Sequence, residues 1–234
     1  MSDNETALDS LEADSLASVI KRRHSRRAFL PEPVPHATIE RMFTLARQSP
    51  SWCNTQPWHA YVTEGAQTEK FRTVLREFGR EHGGAVAPDI AMPREYKGAH
   101  LERRRESGWQ LYEAVGVAKG DRVASAQQSA KNFELFGAPH VAVITVDAAL
   151  GTYGALDVGV FLGHLLLVAE SLGVATIAQA AIATRAPAVR EFFGVPDTES
   201  VLVAISFGWS DEEHPANSYR TSRADTDAVV RWHS

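Results

Sequence analysis

The chain has 234 residues, 44% hydrophobic and 23% charged, enough to bury one sizeable core and short for two full domains. A formal charge of −5 and a pI near 6.0 argue against a general binder of nucleic acid or anionic membranes, which would carry a basic excess. One cysteine, Cys53, excludes an intrachain disulfide, and the nine histidines form no HExxH pattern. No metal is expected, and a reducing, cytoplasmic setting is.

Residues 1–13 are acidic and lack the basic start and apolar core of a secretory signal. They read as a mobile tail ahead of one domain spanning 14–234. Asp14 is a candidate N-cap for a helix through "SLASVIKRR". Pro35 to Gln48 predicts a second helix, with Ile39, Met42, Phe43 and Ala46 on one face. The loop "SPSWCNTQPWH", Ser49 to His59, then carries two tryptophans and the only cysteine, and "WHAYVTEG" reads as a strand ended by Gly65. A third helix follows in "AQTEKFRTVLREFGREH", its apolar face formed by Phe71, Val74, Leu75 and Phe78.

From Gly79 to Asp121 the sequence mixes Gly, Pro, charge and isolated aromatics. This excursion is either a solvated surface helix with loops or a lid over a ligand. "DRVASAQQSAKNFELFG" predicts a helix ended by Gly137, and "PHVAVITVD" a strand. Ala155 to Leu172 is apolar on nearly every side and stops at Gly173, so a helix covered all round is expected. Its apolar run, Val158 to Ala169, falls short of the roughly 20 residues of a membrane span. Gly159 and Gly163 suit close packing, inside a core or across a dimer interface. After the small-residue stretch "VATIAQAAIA" come a helix ended by Gly194 and the strand "SVLVAISFGW". Strands separated by more than one helix point to an α+β fold.

Four stretches could carry chemistry. "KRRHSRRAF" packs five Lys or Arg into Lys21–Arg27 around Ser25: an anion site, a solvated helix end, or a nucleic-acid patch. In the Trp-rich loop, Asn54 and Gln56 could read the alternating N–H and C=O edge of a planar heterocycle, or merely satisfy neighbouring carbonyls in a packed loop. Cys53 as a nucleophile, with His59 or His24 as base, has no acid to orient the histidine; a buried, inert thiol is the simpler reading. "VATIAQAAIA" could leave backbone N–H groups approachable by a ligand, and "SYRTSRAD" places Arg220 and Arg223 three apart. No GxGxxG or Walker loop is present, so a Rossmann domain is unsupported.

Together these residues resemble the flavin-dependent nitroreductase family. The likeness lies in "RRHSRRAF" followed by "PEPVP" and "SPSWCNTQPWH", in "GALDVGVFLGHLLLVAESLGVATIAQAAI", and in "YRTSR…VVRW", from about Leu16 to Trp232. It implies a central, mostly antiparallel sheet flanked by helices and an intertwined homodimer with FMN at the subunit interface. It also implies ping-pong hydride transfer from NADH or NADPH to a nitroaromatic, quinone or similar small aromatic acceptor. By motif position, Arg23, His24, Ser25 and Arg27 would hold FMN, with Arg223 and less directly Arg220 completing the phosphate site. Ser51, Trp52, Cys53, Asn54 and Gln56 would approach the ring from the other subunit. Gln179, Ala180 and Ala181 would line the flavin edge, with a backbone N–H near Ala181 directed at N5. Specialised branches that dehalogenate or fragment flavin, and a non-catalytic flavin binder, are the alternatives.

Overall fold

The computed structural model describes residues 16–233. The expected acidic tail and the Asp14 cap lie outside the described residues.

Four strands form one antiparallel sheet in the order β1-β2-β4-β3: β1 Trp58–Thr63, β2 His140–Asp147, β3 Ala175–Gln179 and β4 Glu199–Gly208. The two central strands are apolar on both faces, as strands covered by helices on each side must be. One face, with Ala142, Ile144, Val203, Ile205 and Phe207, packs on α2 (His36–Ala46) and α6 (Gly151–Ser171) through Ile39, Met42, Phe161 and Leu165. The other, with Val141, Val143, Val201 and Ala204, packs on α3 (Ala66–Glu81), α7 (Ala180–Ala183) and α8 (Ala186–Phe193) through Phe71, Leu75, Ile182 and Val189. Alternation fails once. A bulge opposite Ile144 and Thr145 skips Leu202 and sends it and Val203 to the same face, while Val201 serves the other. The α+β expectation and the antiparallel sheet both hold.

Three expectations are corrected. The helix expected to run to Gly137 is α5, Arg122–Ala130, begun by the Asp121 side chain accepting from the Ala124 N–H (2.9 Å). It gives way to a turn after Ala130, beyond which Leu135 and Phe136 adopt left-handed backbone (φ 54° and 53°) with both side chains buried. Arg72 satisfies the carbonyls exposed by that turn, donating to Glu134 O (3.0 Å) and to Ala138 O. The "VATIAQAAIA" stretch, read as a small-residue connection, contains strand β3 and helix α7. Its alanines mask the β-branched signal of Thr176 and Ile177.

The third correction concerns α6. It is 21 residues, long and apolar enough by length and composition to cross a membrane, and longer than its sequence core suggests. It is not covered all round. Gly154, Asp157, Val158, Phe161, Leu165 and Ala169 are buried on the sheet, whereas Tyr153 and Leu156 are about 60% exposed. Gly154 is required at the contact, since a Cβ there would lie 2.9 Å from Val146 Cγ2. At Gly159 and Gly163 a Cβ would meet nothing within 4 Å, so the close packing those glycines suggest is absent among the described residues.

The excursion holds one long helix, α4 (Gly98–Ala114), with no buried residue. Its approach is anchored: Asp89 accepts from Arg190 Nε (3.2 Å) and from the Val201 N–H (2.8 Å), and Ile90 packs on the core.

Buried His140 joins the start of β2 to the end of β1. It accepts the Val34 N–H at Nε2 (2.9 Å) and donates from Nδ1 to the Thr63 carbonyl (3.2 Å). Burial pushes its pKa down, so the fold holds neutral imidazole while the unfolded chain gains a proton below about pH 6.5. Stability from this group is therefore complete above that pH and falls as pH drops toward the lower folded value. We expect the urea midpoint to decline from about pH 6.5 to 5, with a shallower decline in His140→Gln.

Candidate functional site

Beyond α1 (Leu16–Arg22) the basic stretch is not helical. It runs along the free edge of β3, where Ser25 pairs in parallel with Thr176 and the Arg26 N–H donates to Thr176 O (3.0 Å). Alternation along an extended segment sends Arg23, Ser25 and Arg27 one way and Arg26 the other. Arg26 is buried against Glu170 (3.8 Å) and Glu212 (3.4 Å) and is spent on the fold.

The C-terminal arginine segment is brought to the same edge by Asn217, 2% exposed. Its Oδ1 accepts the Arg27 N–H (2.6 Å), and its Nδ2 donates to the carbonyls of Ala28 (2.9 Å) and Asp211 (2.8 Å). Tyr219 follows, its hydroxyl accepting from Arg27 Nη1 (2.8 Å). The result is a cavity of about 160 Å³ lined by Arg23, His24, Ser25, Arg27, Tyr219, Thr221, Arg223 and, from α4, Ser107. Arg220 is not among its lining; its guanidinium donates to the carbonyls of Asn217 and Tyr219 (both 2.9 Å) and braces the turn.

This cavity has excess positive charge. The Arg23 pKa is pushed down by burial and then by the Arg223 charge, with Glu170 opposing in part. Burial also pushes His24 down, helped by the charges of Arg26 and Arg220 and opposed by hydrogen bonds to the backbone of Arg22 and Asn217. Among the described residues Arg223 donates only to Thr221 and Ser222 of its own segment. Converging cations fit a bound anion such as a phosphate.

A second cavity, of about 240 Å³, shares Arg27 with the first. Its walls are Ile177, Ala178, Gln179 and Ala180 at the end of β3, Gln128, Asn132 and Phe136 after the early stop of α5, and Leu111 and Tyr112 of α4. Gln179 acts as a brace. It accepts from Ser206 Oγ and donates from Nε2 to Asn132 O (2.9 Å), holding Asn132 at the wall. Ala180 lines the cavity; Ala181 sits one residue further into α7, its carbonyl accepting from Thr184 Oγ1 (2.6 Å). Arg27, half-buried and linked to Tyr219, lines both the anion cradle and the mixed-polarity slot. That donor set and its division into two neighbouring spaces fit a phosphate-bearing planar ligand such as FMN.

Ser51 to Gln56 line neither cavity in the single chain. They form a tight exposed turn on α6. The Asp157 carboxylate accepts the Trp52 N–H (3.1 Å to each oxygen), and Ser51 Oγ accepts the Gln56 N–H (2.9 Å). Cys53, Asn54 and Gln56 all have positive φ, a costly conformation for side chains of this kind and a sign of tight external constraint. Cys53 is exposed, correcting the expectation of a buried thiol. Its suggested bases are elsewhere engaged: His59 pairs with Glu199 (3.2 Å), and His24 lines the anion cavity. Asp157→Ala is expected to lower stability by about 1–3 kcal/mol, the penalty for losing a buried acceptor. It should also speed amide exchange at Trp52 through Gln56, a local signature that a global loss alone would not produce.

Asn217, Tyr219, Asn132, Gln128 and Ser107 are site residues that sequence reasoning did not single out. Tyr219 lay inside the quoted C-terminal motif; the others carry no local signal, because their roles arise from contacts across 100 or more positions or from a helix that stops early.

A sequence model of the nitroreductase family matches residues 20–209. The 4-nitrobenzoate reductase of Pseudomonas putida is 32% identical over 214 residues, covering 91% of this chain and 93% of that protein. The chloronitrobenzene nitroreductase of Comamonas testosteroni is 28% identical over 215 residues, 92% of this chain and 95% of that protein. The crystal structure of the FMN-dependent nitroreductase NfnB from Mycobacterium smegmatis in complex with NADPH superposes with a TM-score of 0.88 at 31% identity, covering 94% of this chain and all of that one. The sheet, the neighbouring cavities and the match over most of the chain agree: the protein belongs to the nitroreductase family.

Proposed function

We infer that the protein is an FMN-dependent oxidoreductase that takes a hydride from NAD(P)H and passes it to nitroaromatic or related electron-poor aromatic acceptors. The observation that carries this is the pair of neighbouring cavities sharing Arg27, one an anion cradle whose arginines are only partly offset by Glu170 and the other a slot of mixed polarity. Relatives that reduce nitrobenzoate and chloronitrobenzene support the acceptor class.

FMN, when bound, supplies hydride transfer at its N5 position. The chain's own residues hold and polarise. Arg23, His24, Ser25 and Arg223 would hold the phosphate, and Arg220 would support them by bracing their turn. Arg27 would lie against the pyrimidine end, where its fixed charge offsets negative charge developing there. Gln179 keeps Asn132 at the slot wall, Ala180 borders its edge with Ala181 next to it in α7, and α4 contributes Leu111 and Tyr112 to the wall, a lid-like part for the excursion. No side-chain acid is needed in the slot, since water can supply protons.

A homodimer completes this reading. Tyr153 and Leu156 of α6 and the neighbouring Trp52 are exposed large apolar side chains, and no described atom lies within 4 Å of a Cβ built at Gly159 or Gly163 of the same helix. A second copy seated there would bury α6 and bring its Ser51–Gln56 turn toward the slot, which explains a turn built at such conformational cost. A single exposed thiol suits the reducing cytoplasm.

The test is spectroscopic. The purified protein should carry or take up FMN, bleach on anaerobic addition of NADPH or NADH, and recover its colour with 4-nitrobenzoate. A protein that cannot be reconstituted with FMN overturns the proposal; one that binds FMN without bleaching is a non-catalytic flavin binder.

A further inference from the structure

Helix α5 buries a single residue, and that residue is an amide: Gln128 is 6% exposed on a helix whose Val123 is 70% exposed. The hydrophobic effect alone favours the opposite choice. Among the described residues the Gln128 Nε2 is buried and has no hydrogen-bond partner. A buried donor left unpaired destabilises a fold, so a group kept in that state points to a partner from outside the chain.

The position of Gln128 says where that partner lies. It lines the slot, four positions before Asn132 on the same wall. The other two amides of the slot already use their nitrogens: Gln179 Nε2 donates to Asn132 O (2.9 Å), and Asn132 Nδ2 donates to Ser129 O (3.0 Å). Gln128 is the slot amide whose nitrogen is uncommitted. The terminal torsion of a glutamine is soft, so a rotation about it presents an N–H to the slot at little cost.

The chemistry of the slot's ligand supplies the acceptor, and here the argument rests on the flavoenzyme reading above. The pyrimidine end of a flavin carries two carbonyl oxygens with an N–H between them. Arg27 brings charge to that end, and an amide complements it, since its N–H donates to a ring carbonyl while its own oxygen is free to accept the ring N–H.

We propose that Gln128 donates from Nε2 to a pyrimidine carbonyl of the bound flavin and so raises its reduction potential. The ring oxygens gain negative charge on reduction, and the donor therefore holds the reduced form more strongly than the oxidised one. The same bond pairs a group that the empty protein leaves unpaired, so FMN binding relieves a penalty built into α5.

The test compares wild type with Gln128→Met, which keeps the length of the side chain and removes the donor. Without flavin, the urea midpoint of the variant should equal or exceed that of wild type, because no protein bond is lost and an unpaired donor is removed. FMN should bind the variant about two- to tenfold more weakly, the scale of one neutral hydrogen bond. Its midpoint potential should fall by up to about 30 mV, the equivalent of a tenfold preference for the reduced form in a two-electron couple. Carbon-13 NMR of FMN labelled at C2 and C4 reads the contact itself: one of the two carbonyl signals should move upfield in Gln128→Met. Gln128→Ala gives the same reading where methionine does not pack. A flavin-free variant less stable than wild type would make the amide a structural group and overturn the proposal. Carbonyl signals identical in wild type and variant would also overturn it, even with weakened FMN binding, since the loss would then come from the shape of the slot. A wild-type protein that takes up no FMN would instead sink the flavoenzyme reading, and this inference with it.

Discussion

Replacing Asn217 with alanine should release FMN and lower stability together. Its side chain is the link that holds the N-terminal arginine segment against the C-terminal one, with one amide serving the Arg27 N–H and the carbonyls of Ala28 and Asp211. Alanine would leave these buried backbone groups without partners, at roughly 2–4 kcal/mol in sum once partial solvent entry is allowed. The cradle's cations would then no longer be held at converging positions, and FMN affinity should fall by tenfold or more. Urea unfolding measures the first effect and flavin fluorescence titration the second. Asn217→Asp, which keeps the acceptor for Arg27 and loses the two donors, should fall between. Unchanged FMN affinity in the alanine variant would show that the two arginine segments bind independently.

The second large effect is electronic. Arg27→Ala removes the charged group at the junction of the cavities and leaves the Tyr219 hydroxyl without its donor. Burial pushes the Arg27 pKa down from a very high ordinary value, with Tyr219 opposing, and the half-buried side chain remains a fixed positive charge whose influence is strengthened by partial removal from water. A charged hydrogen bond that forms more strongly to the reduced flavin, worth about 1.5–3 kcal/mol, corresponds to a midpoint lowered by about 30–65 mV for a two-electron couple. FMN retention should weaken as well. Arg27→Lys keeps the charge and should return most of the potential while restoring less of the affinity. Redox titration against dyes of known potential decides it: a midpoint in Arg27→Ala equal to wild type would remove Arg27 from the ring and leave it a purely structural partner of Tyr219.

Both variants act on residues that sequence reasoning treated very differently. Arg27 stood out because arginines clustered around a serine have few inexpensive explanations. Asn217 did not, because a single asparagine in "HPANSYR" has the composition of any turn, and its value lies in atoms of Arg27 and Ala28 some 190 positions away. The amides show the same contrast. Asn54 and Gln56 drew attention as readers of a heterocycle edge, yet within one chain they form an exposed turn, and the slot is walled by Gln128, Asn132 and Gln179. The local pattern identified a useful chemistry without locating it.

What the amino-acid order determined by itself is whatever depends on neighbours a few positions away. The face of α2, the strands β2 and β4, the Gly194 stop of α8 and the basic box all follow from periodicity, propensity and backbone freedom. Tertiary structure decided the rest. Only the free edge of β3 turned the end of the basic box into an extended segment with alternate arginines facing one cavity. Only the folded chain showed α5 ending at Ala130, with Gln128, Asn132 and Phe136 on the slot wall. Only the sheet showed which stripe of an evenly apolar helix is covered and which is left exposed. The physical reason is common to all three: burial and long-range hydrogen bonds are energies of place, and a sequence read locally carries preferences for conformation but no record of what will lie opposite.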